Sequence, residues 1–411
     1  MAELTVRGVW SGSSEAGTTR ETVREYVGRL ADIGVNQIFM GIKEGHGRLC
    51  WPSEILPQCT REPFHEFDLP ATLIDEGNKR GVQIHAWLID FFEGESGAAH
   101  LQHPEWAMRN SHGKPTNEET LRGRRFDAVW MCPAQRPGYT DQWLVPIYRE
   151  LAERYEFASI HHDYIRYPGD LAPDQYCFCD YCVEEISRFA GYLNEGYADE
   201  PFLHESYDRP YLESHWEQSP RVLPPAWSTW PRDWKANFLL NGSFFQSGRA
   251  DLDYFFYRYR TEQINRFAKE SYEVVKAANP RTKLSGAVFK NPVHSGRFIG
   301  QDWRQFAQWM EIAVPMDYRD HFPGTFDQYL GLLTEAIKNQ KVWAEECVSL
   351  WIGTAVNFLF KEEPKGPYPT EKLSQVLQTI KSSGVEGAVL FCSGQFDRYG
   401  IWKHLQKHGW Q

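Results

Sequence analysis

The sequence predicts an α/β protein, a (β/α)8 barrel with long insertions after its third and fourth strands. Short apolar runs alternate with longer amphipathic ones along the chain, and eight strand–helix units follow one another in order. No hairpin signal joins successive strands, so the sheet should be parallel and its crossovers helical. No Gly-x-Gly-x-x-Gly opens a helix after the first strand, which disfavours an open dinucleotide-binding sheet. A chain of 411 residues suits one barrel, typically of about 250 residues, enlarged by its loops.

The expected strands are residues 4–10, 37–42, 82–89, 157–162, 283–289, 312–316, 341–344 and 386–391. The first helix, 18–33, has Thr18 or Thr19 as N-cap, Glu21 in its first turn and Gly34 just past its end. The second, 69–79, is closed by Gly81, and the third spans 141–155. The fourth, 251–278, stops at Asn279-Pro280, because proline cannot continue a helix. Helices at 302–310, 326–339 and 370–383 fill the remaining crossovers. The whole chain, 1–411, reads as one barrel carrying two insertions, 91–137 and 168–250. Both follow strands, so both belong on the C-terminal face, where active sites of this fold lie. The second is rich in Pro, Trp, Tyr and acids between 197 and 234, the composition of an ordered cap over a cleft.

The net charge is -11, which argues against a phosphate-binding surface and hence against nucleic acid. Aromatic residues make up 15 %, with 16 Trp; their faces can stack on sugar rings while their polar edges stay wet. The eight Cys do not form a disulfide framework in a chain this long. Met1 to Trp10 lacks a signal-peptide pattern, so a cytoplasmic location is expected, and no run of 18 apolar residues could span a membrane. Aromatics between 200 and 245 could equally pack against a second copy, a homo-oligomer.

Chemistry is concentrated at strand ends. Strand four runs from an apolar stretch straight into Asp163-Tyr164-Ile165-Arg166-Tyr167. Strand three ends in Asp90, strand six in Asp317-Tyr318-Arg319-Asp320, and the expected strand seven in Glu345-Glu346. Hydrolysis of a glycosidic bond needs two carboxyl groups flanking it, one giving a proton and one acting as nucleophile or base. Asp163 ranks first, as nucleophile or base kept ionised by Arg166. Asp317 is the expected acid, with Glu345 its rival. Asp90, His162, Tyr164, Arg166, Tyr318, Trp87 and Trp351 are candidate substrate-binding residues. His85, in mid-strand, reads as a hydrogen-bonded barrel-lining residue.

The stretch His162-Asp163-Tyr164-Ile165-Arg166-Tyr167-Pro168 resembles the strand-four signature of bacterial glycoside-hydrolase-like TIM barrels. Pro315-Met316-Asp317-Tyr318 is similar to their strand-six turn, and Trp130-Met131-Cys132-Pro133 to their approach to the third helix. The resemblance covers residues 4–405, less the stretch 190–250, and implies a glycoside hydrolase acting on an oligo- or polysaccharide without a cofactor. A strand-four Asp with a strand-six Asp is also similar, in position only, to the retaining α-galactosidase clan. His161-His162 ahead of the Asp, and two adjacent acids at the expected strand seven, depart from the pattern.

Cys177, Cys179 and Cys182 fall within six residues. They are candidates for structural zinc if Cys132, Cys50, Cys59 or a His supplies the fourth ligand; a packed, reduced loop or a single disulfide is the alternative. Two other readings stay open: a glycan-binding barrel without catalysis, and a metal-dependent hydrolase using the His and Cys residues near strand four.

Overall fold

The computed structural model describes residues 3–121, 123–126, 128–171, 175–186, 229–241, 250–344 and 349–410. Eight parallel strands close into a barrel: β1 (Val6–Gly12), β2 (Gln37–Lys43), β3 (Gln83–Ile89), β4 (Ser159–Asp163), β5 (Lys283–Val288), β6 (Ile312–Pro315), β7 (Ser349–Ala355) and β8 (Gly387–Phe391). Each strand pairs with its sequence neighbours, and β1 closes the ring on β8, with Val6 opposite Gly387 and Trp10 opposite Phe391.

Helices of the described residues include α1 (Arg20–Asp32), α2 (Leu69–Asn78), α3 (Val145–Arg154), α4 (Ala250–Ala278), α5 (Pro292–Ile299), α6 (Phe326–Trp343), α7 (Glu371–Ser382) and α8 (Ile401–His408). Their starts follow local chemistry. Thr19 caps α1 by accepting from the Thr22 N–H, Asp68 caps α2 from Ala71, and Thr325 caps α6 from Gln328. Such caps are worth about 1 kcal/mol each, because the first turn's N–H groups otherwise lack acceptors.

Strand residues alternate between two cores. Ile84, Ala86, Leu88 and Ile160 face outward, into a core shared with Val27 of α1, Leu73 of α2 and Leu151 of α3. Trp10, Phe39, Val314, Trp351 and Val389 point inward. A buried polar chain crosses the barrel interior among them. His161 Nε2 accepts from Trp10 Nε1 at 3.2 Å, and its Nδ1 lies 2.8 Å from Ser285 Oγ. Ser285 and Ser159 are joined at 2.7 Å, Ser159 and His85 Nδ1 at 2.7 Å, and His85 Nε2 and Gln37 Oε1 at 2.8 Å. One proton arrangement satisfies every member: each donates to the next from Trp10 to Gln37, with both imidazoles neutral. Burial enforces that state, pushing His85 down to about 3 and His161 well below the ordinary imidazole value.

Strand seven departs from expectation. Residues 341–344 are the end and cap of α6, and the strand is Ser349–Ala355. The apolar run Leu350-Trp351-Ile352 is broken by Gly353, which made it a poor strand by composition. A Cβ at Gly353 would meet the Pro315 carbonyl oxygen at 2.8 Å and the Trp10 ring at 2.9 Å, so close packing demands the glycine. Helix α5 was not expected at all. Most of the 168–250 insertion lies outside the described residues, as does the stretch richest in aromatics. Among the described residues no helix is long and apolar enough to cross a membrane.

Candidate active site

Alternation along β4 decides which side chains reach the barrel mouth. Ser159 and His161 point inward, so Asp163, the last strand residue, points inward one step higher, at the C-terminal rim. His162 points the other way. The chain turns sharply after Asp163: Tyr164 has φ 55°, a left-handed conformation that costs a non-glycine residue about 1 kcal/mol or more. That turn brings the Tyr164 N–H back onto Asp163 Oδ1 at 2.7 Å, while Trp87 Nε1 donates to Oδ2 at 3.1 Å. Asp163 is 8 % exposed. Burial raises its carboxyl; Arg166 and the two donors pull it back and Asp90 adds a little, leaving it at about 6. The expectation that Arg166 would keep the group firmly ionised is therefore modified, since desolvation outweighs the guanidinium.

A series of ring contacts runs from β3 to β8, β6 and β5, and the Arg166 guanidinium joins it back to β4. Trp87 meets Phe391 edge-on at 6.3 Å, and Phe391 stacks on Tyr318 at 5.7 Å. Tyr318 stacks on His321 at 5.3 Å, and His321 on Phe289 at 6.2 Å. The Arg166 guanidinium lies 5.0 Å from the Phe289 ring and 4.4 Å from that of Tyr164, with Trp130 beneath at 5.2 Å. Trp87, Tyr164, Phe289, His321 and Phe391 are only half-buried, so parts of these rings stay open to solvent.

Several expected site residues sit elsewhere. Asp90 and His162 are fully buried on the helix side of the barrel: Asp90 Oδ2 lies 2.8 Å from His162 Nδ1, Tyr148 of α3 donates to Asp90 Oδ1 at 2.7 Å, and Ser271 of α4 is 3.2 Å from His162 Nε2. This cluster bonds barrel to helices and does not face the mouth. Trp351, the third residue of β7, pairs with Gly387, the first residue of β8, near the N-terminal end of the barrel, and donates to Glu386. It belongs to the floor and packs edge-on against His85.

Asp317 requires the largest correction. Ile312, Val314, Met316 and Tyr318 face the barrel interior, so Asp317 faces α6. Its Oδ1 accepts from Gln340 Nε2 of α6 at 2.8 Å, and the same amide group also reaches the Lys290 carbonyl oxygen at 2.9 Å. Burial lifts its carboxyl to about 8, against Gln340 and Lys290, and Asp163 is not among the charges that act on it. Glu345 and Glu346 precede β7 instead of following a strand, and lie outside the described residues; the reason for placing Glu345 at the mouth is gone.

The sequence reading missed Phe289, His321, Phe391 and Trp130. The signal was present, since three of them lie within a few residues of a strand's C-terminal end. Behind Trp130, Cys132 meets Cys177, Cys179 and Cys182, all four buried, with their sulfurs within 4.8 Å of one another.

The geometry brings together an inward carboxyl and a series of aromatic rings at the C-terminal face of a closed parallel barrel, the face on which this fold carries its active sites. The chain belongs to the glycosyl hydrolase-like 10 family, whose model matches residues 5–359. Among curated proteins it is similar to the glycosyl hydrolase DigH of Escherichia coli (strain K12), 23 % identical over 198 residues, 41 % of this chain and 40 % of that protein. The chain thus matches about two fifths of that relative's length. Solved structures share the fold: a β-galactosidase from Rahnella sp. R3 (TM-score 0.62, 15 % identity, 94 % of this chain and 50 % of that one), and the catalytic domain of a β-amylase from Paenibacillus polymyxa (TM-score 0.56, 11 % identity, 98 % of each chain).

Proposed function

We propose that this chain hydrolyses a glycosidic bond of an oligo- or polysaccharide, with Asp163 as the carboxyl that gives and takes the proton. The observation that carries the proposal is Asp163 itself, inward at the rim, buried, and held at about 6. A general acid–base works best with a pKa near the working pH, because it must exist in both states during one turnover. Trp87 and the Tyr164 N–H fix both carboxyl oxygens, so the group is oriented before substrate arrives. The solvent-open parts of the Trp87, Tyr164 and Phe391 rings offer apolar surface for sugar rings.

The mechanism needs a second carboxylate. Asp170 and Asp320 are the candidates: both are exposed, Asp170 acts with Asp163 on the Tyr164 phenol, and Asp320 acts with Asp163 on the Tyr318 phenol. Protonated Asp163 would give its proton to the leaving oxygen while the second carboxylate attacks the anomeric carbon or activates water. Asp163, now ionised, would then take a proton from water.

The test is a screen of chromogenic glycosides and natural oligosaccharides with wild type, Asp170→Asn and Asp320→Asn. Turnover by wild type, lost in one of the two variants, supports the reading. Saturable oligosaccharide binding with no released sugar would favour a binding barrel instead.

A further inference from the structure

We propose that Cys132, Cys177, Cys179 and Cys182 form a structural zinc site that fastens the insertion after β3 to the insertion after β4. Four thiolates at about 2.3 Å from a tetrahedral zinc ion lie about 3.8 Å from one another. Here Cys132 Sγ is 3.4 Å from Cys182 Sγ and 3.8 Å from Cys179 Sγ, and all four sulfurs lie within 4.8 Å of each other. A disulfide would need about 2.05 Å between two sulfurs. All four residues are at most 4 % exposed. Four convergent buried sulfurs are poor hydrogen-bonding partners for one another, so packing alone gives little reason to collect them.

The ligands come from two places 45 residues apart. Cys177, Cys179 and Cys182 belong to one short turn, whose geometry is pinned by the Phe178 N–H donating to the Arg109 carbonyl at 2.7 Å. Phe178 also stacks on Phe256 of α4 at 4.9 Å. Cys132 arrives from the chain leading into α3. Binding would release the thiol protons and leave four thiolates around Zn²⁺, a net charge of -2. A buried cation stands on that side: the Arg260 guanidinium lies 4.3 Å from the Tyr167 ring, whose phenol feels Cys132, Cys182 and Arg260 together. The Tyr259 hydroxyl, also on α4, points at Cys182 Sγ at 4.0 Å. With four sulfur ligands no coordination position stays open, so the ion would take no part in hydrolysis. Its effect on the site would pass through Trp130, two residues before Cys132, which supports Arg166 from below.

The experiment is metal analysis of the whole chain, purified without a metal-affinity step, for wild type, Cys132→Ser and a control, Cys50→Ser, whose thiol is buried elsewhere. The expected result is about one zinc per chain in wild type and control, and less than about a tenth of that in Cys132→Ser. Should Cys132→Ser fail to fold, titrating wild type with a mercurial reads the same site: zinc should be released in step with blockage of four thiols. Zinc absent from wild type, iron in its place, or full zinc retained in folded Cys132→Ser overturns the proposal. None of these readouts depends on glycosidase activity.

Discussion

Replacing Asp163 with Asn separates chemistry from stability. Ionising the buried carboxyl in the folded protein is penalised: its rise from 3.8 to about 6 corresponds to about 3 kcal/mol, at about 1.4 kcal/mol per unit. The sign follows from the raised pKa: the folded state holds this proton more tightly, so stability grows as pH falls from 6 towards 3.8, and the penalty is complete above 6. Asn removes that penalty. It also costs something, because Trp87 Nε1 and the Tyr164 N–H bind different carboxyl oxygens and the Asn amide puts an NH2 donor in place of one of them, and a buried donor left unpaired costs about 1–3 kcal/mol. The two effects nearly cancel, so thermal unfolding at pH 7 should move by only a few degrees. Activity should fall by about 10²–10⁴, the usual worth of a positioned acid–base group. The assay is kcat/KM on the best substrate from the glycoside screen, beside a thermal melt of the same preparation. A folded Asp163→Asn variant retaining more than a tenth of wild-type activity would refute the reasoning.

Trp87→Phe keeps a ring but removes the N–H that lowers the Asp163 pKa, so the limb of the pH–rate profile assigned to Asp163 should move up by roughly one unit. Asp317→Asn should retain activity within a few-fold and unfold at the same or a higher temperature at pH 7: protonating Asp317 in the fold costs about 4 kcal/mol there, which Asn spares, less about 1–3 kcal/mol for amide hydrogens without partners. Loss of catalysis in a stable Asp317→Asn variant would reverse its assignment to the α6 contact. His85 has a depressed folded pKa, so the unfolded chain takes up a proton below pH 6.5 that the fold refuses. Its contribution is lost as pH falls, and the stability difference between wild type and His85→Gln should shift towards the variant by about 1.4 kcal/mol per pH unit below 6.5, measured by urea unfolding.

What was readable in the sequence, and what was not, follows from local rules. Seven strands could be placed within a few residues because each is an apolar run bounded by helix caps or glycines. The eighth could not, because α6 runs four residues past its expected end and ends in an apolar Val-Trp-Ala that resembles a short strand, while Gly353 weakens the true one. Asp163 was legible as a charge ending an apolar strand. Asp90, His162 and Asp317 gave the same signal yet face the helices, since an acid's place at a strand end says nothing about which way it points until the register is known. His161 and His85 could have fixed that register: two inward imidazoles at the same parity as Asp163 put His162 on the other face. The ring series around the mouth depends on contacts between distant segments, and no local pattern carries it; for the same reason Cys132 could be named as the fourth cysteine only beside Cys50, Cys59 and a His.

A crystal structure of Asp163→Asn soaked with an oligosaccharide that wild type cleaves tests the central claim most directly. The glycosidic oxygen should lie within about 3 Å of the residue 163 side chain, with a sugar ring against Trp87 or Tyr164. A sugar bound away from the barrel mouth, with residue 163 untouched, would contradict it.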